Sequence, residues 1–255
     1  MPVISKRLDG KVAIVTASTA GIGYAIAEGL AENGAKVVIS SRKETNVENT
    51  LQQLRSKGLE VSGCVCHVAI AEDRQKLLDL TLKKYGQLDI LINNAGTSVG
   101  MKPFLETTPD EWNEIFATNL QAGFQFVKEA LPYLKETKGS VLFNGSMTAY
   151  NPLPMMGAYS ISKTAMLGMV KALASECGPM GIRVNCFAPG IIETNMSEPA
   201  TSNKEFCETW TKAIPLGRFG TPSELAGLAV FLSSDEASYI TGETIMVTGG
   251  IHSRL

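Results

Sequence analysis

The hydrophobic pattern of this chain switches repeatedly between two periods. Short apolar runs rich in β-branched residues occur at Val12–Thr16, Lys36–Ser40, Val61–Val65, Leu88–Ile92, Val141–Phe143, Arg183–Phe187 and Thr244–Val247. Runs this continuous suit strands buried on both faces, as in a parallel sheet. Helical stretches lie between them, near 21–33, 44–57, 71–85, 110–135, 157–177 and 222–232. Asp110 and Thr221 are the expected N-caps, with Pro222 in a first helical position. Gly34, Gly58, Gly86 and Gly139 fall where a helix-ending glycine is expected. The alternation predicts an α/β fold, a doubly wound, seven-stranded, mostly parallel sheet with helices on both faces. No linker rich in Pro, Gly or Ser divides the chain, so residues 1–255 are read as one domain. The least regular part, 190–220, is the expected lid over a site at the carboxyl ends of the strands.

Composition narrows the chemistry. With 23 Lys+Arg against 25 Asp+Glu, the formal charge is -2, so no broad basic surface is expected for nucleic acid or anionic lipid. No run reaches the roughly 18 apolar residues of a membrane span, and no signal peptide is read at the N-terminus. Cysteines 64, 66, 177, 186 and 207 form no C-x-x-C pair, which favours reduced thiols in a reducing compartment. The two histidines, His67 and His252, exclude a zinc site built from several His and leave a Ser-His-Asp triad without a convincing base. No metal site is expected, and the proton donor of any enzyme here is expected to be another residue type.

After the first strand the chain reads Thr16-Ala17-Ser18-Thr19-Ala20-Gly21-Ile22-Gly23 and then turns helical. A tight turn opening a helix aims free N–H groups at a pyrophosphate; the plainer alternative is a helix start that needs small residues. Asn93-Asn94-Ala95-Gly96 follows the fourth strand, Asn144-Gly145-Ser146 ends the fifth, and Tyr159 and Lys163 lie four apart on one helix face. Together these resemble the short-chain dehydrogenases/reductases over essentially the whole chain. The turn is similar to that family's T-G-x-x-x-G-x-G, with Ala17 in place of its first glycine. That replacement implies that position 17 does not need a positive φ.

The resemblance implies a Rossmann-like fold, a nicotinamide dinucleotide cofactor, and a catalytic set of Asn119, Ser146, Tyr159 and Lys163. Free tyrosine has a pKa of about 10 and is a poor base at neutral pH; the ammonium of Lys163 is expected to lower it. Ser146 is expected to polarise a carbonyl oxygen, and Asn119 to hold a water linking Lys163 to solvent. The expected cofactor contacts are Thr16, Ser18, Gly21, Ile22, Gly23, Ser41, Arg42, His67, Val68, Asn94, Ala95, Gly96, Tyr159, Lys163, Pro189, Gly190, Ile192 and Thr194. At the end of the second strand an acid would bond a ribose 2′-hydroxyl; Ser41-Arg42 stands there instead, so NADP(H) is expected over NAD(H). A solvated loop charge is the alternative for Arg42. Where the family has Asp-Val, His67-Val68 stands here, which leaves contact of His67 with adenine open.

Ser98, Val99, Met147, Leu153, Met155, Met156, Met196, Phe206 and Trp210, together with Ser146 and Tyr159, form the expected pocket wall. Its apolar, Met-rich character suits a bulky ketone, aldehyde or dicarbonyl. The strand end Ser40-Ser41-Arg42, Cys66-His67-Val68 and the terminal Ser253-Arg254-Leu255 resemble the family's peroxisomal, NADP-dependent retinol dehydrogenase/carbonyl reductase branch. That likeness implies retinal and aromatic ketones or diketones as substrates. It also implies a peroxisomal import receptor as partner of Ser253-Arg254-Leu255, with the cytoplasm as a second location, and a homotetramer. The competing readings are an acyl-thioester ketoreductase and a non-catalytic dinucleotide-binding scaffold.

Overall fold

The apolar runs become seven strands: β1 (Val12–Val15), β2 (Lys36–Ser41), β3 (Val61–Val65), β4 (Ile90–Asn93), β5 (Ser140–Asn144), β6 (Arg183–Pro189) and β7 (Thr244–Val247). They form one sheet in the order β3-β2-β1-β4-β5-β6-β7, with every neighbouring pair parallel. This is a computed structural model, and it describes residues 6–251. His252 and the Ser253-Arg254-Leu255 terminus lie outside the described residues.

The helices are α1 (Gly21–Glu32), α2 (Glu44–Ser56), α3 (Ala71–Tyr85), α4 (Pro109–Phe116), α5 (Ala122–Thr137), α6 (Gly157–Cys177), α7 (Glu198–Thr201), α8 (Lys204–Ala213) and α9 (Ser223–Ser233). Successive strand residues point to opposite faces, and both faces are covered. Ala13, Val15, Val37 and Ile39 pack with α1 and α9, whereas Ile14, Val38, Leu91 and Phe143 pack with α3, α5 and α6. Double coverage is why the strands read as unbroken apolar runs rather than alternating ones. Strand order reverses direction between β1 and β4, which opens a crevice at their carboxyl ends.

Local signals differ from expectation at four places. At α9 the capping position is Pro222, with helical backbone angles, rather than Thr221, and the helix starts at Ser223. The N-cap of α4 is Thr108, not Asp110: its hydroxyl accepts from the Glu111 N–H (3.3 Å) and the Glu111 carboxylate accepts from the Thr108 N–H (2.8 Å). Pro109 needs no N–H partner and takes the first helical position, which moves the cap back to Thr108. Past α5, Lys138 rather than Gly139 occupies the left-handed conformation, with φ +52°. Gly139 is required for a different reason, because a Cβ there would lie 2.5 Å from the Asp89 carbonyl oxygen. Finally, the stretch read as one helix over 110–135 is two, α4 and α5, joined by a π-helical segment at Ala117–Gln121. In the region 190–220, α7 and α8 stand between Ile192 and Gly220, which pair with each other as an isolated bridge. Among the described residues no helix is long and apolar enough to cross a membrane.

Candidate active site

The turn after β1 is held from several sides. Ser18 is buried; its hydroxyl donates to the Val15 carbonyl (2.6 Å) and accepts from the Ser40 N–H (3.1 Å). The Thr16 hydroxyl accepts from the N–H groups of Asn94 and Ala95, both at 3.0 Å, and so ties β1 to the loop after β4. The Asn94 side-chain amide donates to the Thr16 and Ala17 carbonyls, both at 3.0 Å, and its oxygen accepts from Asn144 (2.9 Å). Within this frame Ala17 adopts φ +50°, contrary to the reading that position 17 does not need a positive φ. The bonds around the turn outweigh the roughly 1–2 kcal/mol that a left-handed alanine costs.

The residues present fit a dinucleotide phosphate here. Ala20, which precedes α1, has no side-chain oxygen to cap it, so the first-turn N–H groups of Gly21, Ile22 and Gly23 are left for a ligand. At Gly23 a Cβ would lie 2.4 Å from both the Ala17 carbonyl oxygen and the Asn94 amide nitrogen. Thr194 leans over the same turn, its methyl 3.2 Å from where a Gly21 Cβ would be. Farther along the strand ends, Ser41 is half-buried and Arg42 is exposed with no ion pair among the described residues. His67 is half-buried, and its Nδ1 accepts from the Ala69 N–H (3.3 Å). The Gly190 N–H is given to the Val247 carbonyl, and the Ile192 side chain is buried in the core.

Four elements bring the catalytic candidates together. Lys163, on α6, is buried, and its Nζ donates to the Asn144 carbonyl at the end of β5 (2.6 Å). The same Nζ lies 5.6 Å from the centroid of the Tyr159 ring, one turn earlier on α6. Ser146 follows β5, and its hydroxyl accepts from the N–H and hydroxyl of Thr148 (3.1 and 3.0 Å) while hydrogen-bonding to Tyr159. Asn119 sits in the π-helical segment. Its side chain accepts from the Thr97 N–H (2.7 Å) and donates to the Thr97 carbonyl and the Ser162 hydroxyl, both at 3.0 Å. Gly96 marks the meeting point, since a Cβ there would lie 3.6 Å from both Asn119 Oδ1 and Lys163 Nζ.

The electrostatics differ from expectation. Burial pushes the Tyr159 phenol above its ordinary value, and the hydrogen bond from Ser146 offsets only part of this. Burial also lowers Lys163, to about 8. The expected depression of Tyr159 by Lys163 is therefore not seen. The ammonium faces the ring and the Asn144 carbonyl, and burial disfavours the charged forms of both groups. Asn144, Thr148 and Ser162 carry the set but were not among the residues expected to matter. A polar residue at the end of an apolar strand, as at Asn144, is the one sequence signal that marks any of them.

Of the expected pocket wall, Leu153, Phe206 and Trp210 pack with Met147 in one apolar cluster. Phe206 lies 5.6 Å from Trp210 and 6.3 Å from Phe219, ring centre to ring centre. Ile214, Phe219 and Ile251, which sequence reasoning missed, are buried in that cluster with Met147, and nothing in their local sequence marks them. Val99, Met155, Met156 and Met196 stand outside it, as does the half-buried Ser98; Met155 adopts φ +66°. Among the described residues no group of acidic, His or Cys side chains could hold a metal ion.

Comparison with known proteins agrees with this geometry. The family model described as Enoyl-(Acyl carrier protein) reductase matches residues 16–252. The pig protein Dehydrogenase/reductase SDR family member 4 (Sus scrofa) is 46% identical over 251 residues, covering 98% of this chain and 90% of the relative. Tropinone reductase-like 3 from Erythroxylum coca is 45% identical over 253 residues, covering 99% and 97%. Among solved structures, a Beutenbergia cavernae protein described as an NAD(P)-dependent gluconate 5-dehydrogenase, with NADP bound at low occupancy, superposes with a TM-score of 0.90. It is 32% identical, over 96% of this chain and 98% of that one. Matched in this way along nearly its whole length, the chain belongs to the short-chain dehydrogenase/reductase family of oxidoreductases.

Proposed function

We propose that this oxidoreductase uses NADPH to reduce bulky apolar ketones, aldehydes and dicarbonyls, aromatic ketones and retinal among them, to alcohols. The convergence of Ser146, Tyr159 and Lys163 beside an uncapped glycine turn carries this reading. NADPH, when bound, supplies the hydride; the chain's own residues handle the proton. Tyr159, held protonated at neutral pH by burial, is the acid that delivers its phenolic proton to the carbonyl oxygen. Ser146 donates to the same oxygen as negative charge builds there. Lys163 places a positive charge against the ring and so favours the phenolate left behind. The turn residues from Thr16 to Gly23, with Thr194, would hold the pyrophosphate, and Arg42 would bind the 2′-phosphate. The cluster of Met147, Leu153, Phe206 and Trp210 favours an apolar substrate over a charged one. A homotetramer and a peroxisomal address at Ser253-Arg254-Leu255 belong to the same reading.

The test is a panel of carbonyl compounds assayed with NADPH and NADH side by side, for the wild type and Tyr159→Phe. Turnover by the wild type with NADPH is expected, with a loss of about 10²–10⁴-fold in the variant, which still binds NADPH. Near-normal turnover by Tyr159→Phe would refute the assignment.

A further inference from the structure

We propose that Arg74 and Glu129 are positioning residues for the adenosine end of the dinucleotide, acting through the main chain at His67 and Val68. This rests on the dinucleotide reading above. Neither residue belongs to the glycine turn or the catalytic set. Arg74 lies in the first turn of α3 and is only 4% exposed. One arm of its guanidinium donates to the Val68 carbonyl (2.7 Å). The other face forms a fork with Glu129 of α5, from Nε to Oε2 (2.8 Å) and from Nη2 to Oε1 (2.6 Å). The neighbouring Asp73 accepts the His67 N–H (2.9 Å). Two consecutive residues of α3 thus grip one donor and one acceptor of two consecutive residues past β3.

The turn that they grip is otherwise closed on itself. The His67 carbonyl accepts from the Ile70 N–H (2.8 Å), and His67 Nδ1 accepts from the Ala69 N–H (3.3 Å). Its place in the fold gives the grip a use. The Cys66 N–H donates to the Ser41 carbonyl (2.9 Å), so the turn abuts the strand end that carries Arg42. On its other side Val68 lines a small cavity with Thr16, Asn93 and Ala95, at the carboxyl ends of β1 and β4 where the crevice opens. The turn at His67–Val68 thus adjoins both the crevice residues Thr16 and Ala95 and the strand end that carries Arg42.

Packing alone does not call for a charged pair here. Two apolar side chains of similar volume would join α3 to α5 without the desolvation penalty of a buried ion pair. What they could not do is donate to the Val68 carbonyl, and a planar guanidinium held by a carboxylate fork does so in one fixed direction.

The experiment uses the full-length enzyme and three variants: Arg74→Met combined with Glu129→Leu, which strands no buried charge; Glu129→Gln; and Arg74→Lys. Calorimetry measures binding of 2′-AMP, 5′-AMP and reduced nicotinamide mononucleotide; steady-state kinetics gives kcat and KM for NADPH; thermal melts are run without ligand. In the double variant, 2′-AMP affinity is expected to fall about tenfold, the scale of one lost charge-assisted hydrogen bond. KM for NADPH is expected to rise in parallel, with kcat and mononucleotide affinity unchanged. Glu129→Gln is expected to show a smaller loss of the same kind. Arg74→Lys, which keeps a donor but loses the fork, is expected to recover part of the affinity. Unchanged adenosine-fragment affinity in the double variant overturns the proposal. So does a lower melting temperature with equal weakening of both fragments, which would mark a purely structural pair. Wild-type binding of 5′-AMP but not 2′-AMP would overturn the NADP(H) reading alone, and the positioning role would then be scored on 5′-AMP.

Discussion

The ammonium of Lys163 lies against the face of the Tyr159 ring, 5.6 Å from its centroid, and spends its shortest hydrogen bond on the Asn144 carbonyl at 2.6 Å. Burial, rather than pairing with a carboxylate, sets the proton affinity of both groups. The tyrosine is thereby kept as an acid at neutral pH, and the lysine is held close to losing its proton.

That balance gives a pH dependence with a definite sign. Lys163 is lowered from 10.5 to about 8. Carbonyl reduction that needs the ammonium is therefore expected to fall as pH rises through about 8. For stability the direction is opposite. Between about pH 8 and 10.5 the unfolded chain binds more protons than the folded one, so this group adds stability as pH rises. Below pH 8 the buried charge costs up to about 3 kcal/mol. Lys163→Met is expected to raise the melting temperature at pH 7 while abolishing turnover, with the gain shrinking towards pH 10. A variant that melts lower than wild type at pH 7 would contradict this account.

Ala17 is a second place where stability and site geometry part. With φ +50°, it sits where glycine is free of steric cost. Ala17→Gly is expected to stabilise the protein by about 0.5–1 kcal/mol net of the extra freedom of glycine in the unfolded chain. Denaturant titration measures it. A destabilised Ala17→Gly protein would show that the turn gains more from the methyl group than it loses in strain.

The proposed preference for NADPH is testable at the end of β2. Ser41→Asp with Arg42→Ala replaces a cation with an anion at the proposed 2′-phosphate site. KM for NADPH is expected to rise, and KM for NADH to fall, each by about tenfold or more. Unchanged ratios of kcat/KM for the two cofactors would sink the assignment of Arg42.

Much of this protein is legible in the chain itself. Continuous β-branched runs require burial on both faces, and that alone leads to the parallel sheet that is found, with strand ends within a residue or two for most runs. The spacing of Tyr159 and Lys163 on one helix is local and survives folding unchanged. Other features are not local. That α4 and α5 are separate, with Asn119 on a π-helical segment between them, follows from anchoring its amide to Thr97 and Ser162, far away in sequence. The positive φ of Ala17 follows from Asn94 and Ser40 closing on the turn, against the preference of alanine. Ile214 and Phe219 join Phe206 and Trp210 only because the segment between Ile192 and Gly220 packs against Met147, which follows β5.

The sequence by itself determined the sheet, most of its helices, the glycine turn and the spacing of Tyr159 and Lys163, because these depend on periodicity and on spacing within one element. The tertiary structure alone decided the protonation balance of Tyr159 and Lys163 and the grip of Arg74 and Glu129 on Val68. Burial and hydrogen bonds between distant segments set both, and neither quantity is defined until the chain has closed around them.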